Sequence, residues 1–163
     1  MLSARNFWRM TRIEKGYTLF ELLGVMALLG LTLLLAVPLY RNAEAWWSLW
    51  SDAQSMAREL RLARQKAMTM NRQCDVYFRP NCNYYEIKQG LKVKKVTLSH
   101  GVVVQGSTFP FVEGKGVLSF TALGTPKQGG TVYLKNLRGQ RLYVPVTPVT
   151  GRVRVTRTDP GQP

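Results

Sequence analysis

The chain has 163 residues, a length that fits one domain plus a long helix, and carries 23 Lys and Arg against 9 Asp and Glu, a formal net charge of +14. A single histidine, His100, and two cysteines outside any CxxC pair speak against a metal site, and no G-x-S-x-G, P-loop or H-E-x-x-H motif or paired-carboxylate site points to an enzyme or a cofactor. The positive excess implies attraction to a polyanion: nucleic acid, anionic lipid heads or acidic cell-surface polymer.

Taken in chain order, Arg5, Arg9, Arg12 and Lys15 come first. Then follow Gly16, the run Tyr17-Thr18-Leu19-Phe20, and a lone carboxylate, Glu21. Residues 22–40 are nineteen positions without a charge. At about 1.5 Å per residue this run is long enough for a hydrocarbon core of ~30 Å. The basic flank favours an N-terminus in the cytoplasm, with everything past residue 40 extracytoplasmic. An acid at the edge of such a span is costly and asks for a specific reason. Pro38 removes a backbone donor inside the run, which predicts a bend there.

This junction resembles the N-terminus of type IV prepilins and pseudopilins: a basic leader, Gly, an aromatic, Thr-Leu, any residue, Glu, then an apolar helix. Gly16, Tyr17, Thr18, Leu19, Phe20 and Glu21 match it, with Tyr in place of the commoner Phe. Pro38 stands where many members carry a kinking proline. The resemblance implies cleavage after Gly16 by a prepilin peptidase, which also methylates the new amine of Tyr17. It implies pairing of Glu21 with the terminal amine of a neighbouring pilin or pseudopilin subunit, since an unpaired buried carboxylate is costly. Before assembly the helix would lie in inner-membrane lipid as a single-pass anchor. An inner-membrane assembly platform would then move it into a pilus or a type II secretion pseudopilus. Without the leader, residues 1–16, the chain keeps 19 basic against 8 acidic residues, so its charge excess is not a leader effect. The alternative is a plain membrane anchor with an incidental Glu.

One helix is expected over residues 17–71, apolar all round as far as 40 and amphipathic over 41–71. Trp46, Trp50, Ala53, Ala57, Leu60, Ala63, Ala67 and Met70 recur at spacings of three and four and form the stripe expected to bury against a sheet. Trp46 and Trp50 share a face, with Trp47 more exposed. Arg58, Arg61, Arg64, Lys66 and Arg72 lie off the stripe and read as a solvated surface, with Glu59 pairing locally.

Short β-type runs follow at 75–79, 84–89, 92–98, 102–105, 117–121, 131–136, 142–146 and 152–157, separated by Gly- and Pro-bearing turns. A helix followed by antiparallel strands is an α+β fold, here a single head over residues 72–158 with a frayed tail at 159–163. Cys74 and Cys82 flank a Pro80-Asn81 turn. A bridge between them would add about 2–3 kcal/mol; two reduced thiols are the other reading.

The head also resembles the GspH/FimT group of minor pseudopilins, on Phe120-Thr121-Ala122-Leu123-Gly124 and the closing Gly151-Arg152-Val153-Arg154. Alternation in a strand would put Arg152 and Arg154 on one face, about 7 Å apart, and Val153 and Val155 on the other. The resemblance implies that Gly151, Arg152 and Arg154 take part in binding DNA for uptake in natural transformation, through phosphate contacts. The competing reading is that these arginines protect a sheet edge from aggregation.

Overall fold

The computed structural model describes residues 18–161; inside the long helix, the side chains of residues 35–39, 41 and 42 fall outside that description. The leader, Gly16, Tyr17 and the expected bend at Pro38 therefore lie outside the described residues. The chain divides into two compact units, Met1–Leu39 and Tyr40–Pro163.

Helix α1 runs over Leu19–Thr69. At its start the Thr18 hydroxyl accepts a hydrogen bond from the Glu21 N–H (3.2 Å), and Leu22 N–H donates to the Thr18 carbonyl. Thr18 is thus the N-cap and Glu21 the third helical residue, where a carboxylate meets the positive end of the helix dipole. At the other end Asn71 turns left-handed (φ 47°), Asn71 N–H donates to Met68 O, and Arg72 N–H donates to Ala67 O. That pair of bonds is a Schellman motif, and it ends the helix two residues before the expected 71. In consequence Met70 falls off the predicted stripe and is exposed.

The amphipathic half packs on β-structure. Strands β1 (Cys74–Phe78), β2 (Tyr84–Gln89), β3 (Lys92–Thr97), β5 (Phe111–Val112) and β6 (Lys115–Phe120) form one antiparallel sheet in the order β3-β2-β1-β6-β5. Strands β4 (Val102–Ser107), β7 (Gly130–Asn136) and β8 (Arg141–Val146) form a second, in the order β4-β7-β8. The turn after β1 ties the sheets together: Asn81 N–H donates to Val104 O at 2.7 Å and Val104 N–H to Cys82 O at 2.8 Å. Leu49, Ala53, Met56, Leu60, Ala63 and Ala67 are buried against Val76, Phe78, Tyr85, Leu118, Leu134 and Val144 in one core. Leu49 and Met56 were not in the predicted stripe, while Trp46 and Trp50 sit at its margin, half buried and stacked at 6.5 Å, and Trp47 is 66% exposed. The alanines let α1 approach the sheets closely.

Two expectations are corrected. The final run, 152–157, is not a continuous strand; it makes isolated bridges, Val153 to Val146 and Thr156 to Tyr143. Both bridges share one antiparallel register with β8, in which Arg154 falls opposite Pro145. Arg154 N–H donates to Pro145 O at 3.3 Å, but proline has no N–H to return, so that rung is half formed and the ladder breaks. The Cys74 to Cys82 bridge is also absent: both thiols are free. Cys74 begins β1, opposite Gln89, whereas Cys82 lies in the turn beyond its far end. The strand between holds them about 14 Å apart along its axis, twice the reach of a disulfide.

Strand β5 has no counterpart among the expected runs. Its two residues are too few for alternation to register, and Glu113 and Gly114, both left-handed (φ 52° and 74°), turn it into β6.

Candidate functional site

In the first unit the side chains from Leu19 to Leu34 are exposed, Leu and Val included, with Phe20 at 86%. A helix segment apolar all round and exposed among the described residues calls for lipid or other helices. Among the described residues no helix is long and apolar enough to cross a membrane. The uncharged run that sequence assigns to a span continues through residues 35–39, whose side chains are not described. Glu21 sits at the head of this surface with its carboxylate exposed.

The second candidate is the segment after β8. Its entry is strained into place: Val149 (φ 69°) and Gly151 (φ 60°) are left-handed, and Gly151 N–H donates to Thr147 O at 3.0 Å. A Cβ on Gly151 would stand 3.2 Å from Gly124 O and 3.2 Å from a Pro126 carbon, so glycine is demanded by both torsion and space. Beyond it, Val153 is buried while Arg152 and Arg154 are exposed. The alternation expected of a strand therefore holds, although the strand itself does not.

Two helix arginines that sequence assigned to solvent tie this segment, and the Gly124 loop it packs on, to α1. Arg61 Nη2 donates to Val153 O at 2.8 Å, and Arg64 Nε donates to Gly124 O at 2.9 Å. Arg157 stacks over the Trp46 ring at 4.7 Å. The Gly124 loop is in turn closed by Thr121 N–H to Thr125 O and by its own N–H to Thr121 O. Arg61 and Arg64 recur at i, i+3 one step off the apolar stripe. That spacing alone does not separate a carbonyl donor from a solvated arginine. Arg157 is thereby turned from the face that Arg152 and Arg154 share. Arg138, in the turn between β7 and β8, is at the opposite end of β8 from Val146 and does not join them.

Other charges are used internally. Asp52 accepts from Ser99 N–H (2.7 Å) and Ser99 Oγ (2.9 Å), pinning the loop before β4 to α1. Asn136, 5% exposed, donates to Ala45 O and accepts from the Arg138 and Gln140 N–H groups. Lys94 pairs with Glu59 at 2.8 Å, so Glu59 bonds to β3 rather than along its own helix. Burial, with the Glu59 and Asp52 charges adding to it, raises the pKa of the Tyr85 phenol, whose oxygen has no hydrogen-bond partner among the described residues. Burial likewise pushes the Cys74 thiol up, Asp75 adding and Lys66 opposing.

A long helix capped by Thr18, packed through its second half on antiparallel sheets, defines the class: a pilin-like α+β fold. No family model matches the chain, and no curated protein matches it. Among solved structures, the chain is similar to the type IV minor pilin FimU of Pseudomonas aeruginosa strain PAO1, with a TM-score of 0.52 and 16% identity, over 66% of this chain and 92% of that one. The minor pseudopilin EpsH of the Vibrio cholerae type 2 secretion system aligns at a TM-score of 0.49 and 15% identity, over 71% of this chain and 99% of that one. The FimU likeness establishes the fold.

Proposed function

We propose that the chain is a minor pilin or pseudopilin subunit, a structural protein rather than an enzyme. Its leader is removed after Gly16, Tyr17 is N-methylated, the helix waits in the inner membrane, and the head stays extracytoplasmic. Other pilin subunits then cover the apolar helix when the assembly platform draws it into a type IV pilus or a secretion pseudopilus. The observation that carries this reading is the exposed apolar helix joined to a pilin-like head. Glu21, exposed at the head of that helix, is the group proposed to pair with a neighbour's terminal amine. Glu21→Leu is expected to leave the processed subunit in the membrane fraction and to deplete it at least tenfold from sheared filaments. Filament incorporation equal to the parent's would remove Glu21 from assembly.

A second reading is favoured by the outward Arg152 and Arg154: contact with nucleic-acid phosphates for DNA uptake. Such contacts are insensitive to sequence and weaken with salt. Arg152→Ala/Arg154→Ala should lower duplex affinity and reduce the slope of log affinity against log salt by about one to two. An unchanged slope would leave the arginines as guards of the sheet edge.

A further inference from the structure

The second sheet turns one face to the core and the other outward. On β7, Val132, Leu134 and Asn136 are buried, which leaves Tyr133 and Lys135 on the outer face; on β8, Leu142, Val144 and Val146 are buried, which leaves Arg141 and Tyr143 there. Register sets Tyr133 opposite Tyr143 and Lys135 opposite Arg141. The two tyrosine rings meet edge to face, 5.5 Å between centroids and 89° between planes, and both remain half exposed. The grooves beside them are lined by Arg141 at one end and Arg154 at the other. From the Lys135–Arg141 rung to the Pro145 rung, which carries Arg154, is four residues of β8, about 14 Å. That is room for two nucleotides between phosphate contacts.

We propose that this face binds single-stranded nucleic acid, with successive bases stacked on Tyr133 and Tyr143 and flanking phosphates held by Lys135, Arg141 and Arg154. The proposal rests on the second reading above and adds to it a preference for unpaired strands, because a duplex hides the base faces that tyrosines stack on. Aromatic residues on adjacent strands of an open sheet face, ringed by cations, recur as platforms for unstacked bases. An acidic polysaccharide would meet the same cations but offers no planar ring to the tyrosines. Asp159 lines the same grooves and opposes a phosphate there.

The test is fluorescence anisotropy of labelled oligothymidine and of a duplex of equal length against the full chain in detergent micelles, at fixed salt. Tyr133→Ala/Tyr143→Ala should lose about tenfold or more in single-strand affinity and leave duplex affinity unchanged. Tyr133→Phe/Tyr143→Phe should bind as the parent does, and Asp159→Asn should bind more tightly. Because the alanine variant can fail to fold, photo-crosslinking of a bromodeoxyuridine oligonucleotide to the parent provides an independent readout, with adducts expected at Tyr133 or Tyr143. Adducts only elsewhere, or a folded alanine variant that binds the single strand as the parent does, overturn the platform. In that case a duplex affinity that still depends on Arg152 and Arg154 leaves the second reading standing. A folded parent that binds neither strand nor duplex at low salt overturns both.

Discussion

Gly151 makes the closing motif possible. Its left-handed φ of 60° reverses the chain after β8, and its missing Cβ lets the Gly124 carbonyl and Pro126 pack at its Cα. Gly151→Ala would meet both constraints at once and should cost about 1–2 kcal/mol of stability, read by urea unfolding in detergent. A change under 0.3 kcal/mol would contradict this reading. Tyr85 gives a pH signature. Its folded pKa is raised above the ordinary value of 10.0, so the folded state holds the phenol proton more tightly than the unfolded chain does. Its contribution is therefore complete below pH 10 and is lost as pH rises beyond it. Tyr85→Phe, which also removes an unpartnered buried hydroxyl, should flatten the alkaline fall in stability and leave neutral stability equal or about 1 kcal/mol higher. An alkaline limb as steep as the parent's would place that titration elsewhere.

At the scale of elements, α1 and the segment after β8 depend on each other. The half rung at Pro145 weakens the ladder, and the Arg61 bond to Val153 O supplies a tie from the helix side. Arg61→Met should therefore speed hydrogen exchange at the Thr156 amide and cost about 1–2 kcal/mol. Exchange at Thr156 unchanged from the parent would show the segment to be held by β8 alone. Strand β3, at an edge of its sheet, is guarded differently. In its register with β2, Lys92 and Lys94 fall on the helix-facing side, and Lys94 reaches Glu59. Inward charges of this kind disfavour strand addition by another chain. Alternating and β-branched runs made most strands legible, β2 residue for residue, because one face of each is buried. Periodicity could not reveal β5, only two residues long, nor the loss of a strand at 152–157. That loss depends on Pro145 lying opposite Arg154, a tertiary register no local pattern carries. The Arg61 and Arg64 bonds were hidden for the same reason: both accept their role from carbonyls sixty or more residues away.

On the scale of the whole molecule, the α+β head and the long helix were both readable from the chain, the helix from its apolar run and stripe, the head from short β-type runs broken by Gly- and Pro-bearing turns. The Thr-Leu-x-Glu signature carries more than the resemblance gave it, since Thr18 and Glu21 also form the helix's N-terminal cap. The cap uses the Thr18 hydroxyl and the Glu21 amide and leaves Glu21 exposed, which is compatible with the pairing proposed for its carboxylate. The central claim is that this helix belongs to a pilin subunit rather than a plain anchor. It is tested most directly by the intact mass and N-terminal sequence of the chain co-expressed with a prepilin peptidase shown to be active on a control substrate. The account predicts a mature chain beginning at N-methylated Tyr17. A chain still beginning at Met1 would contradict it and leave a membrane anchor carrying a pilin-like head.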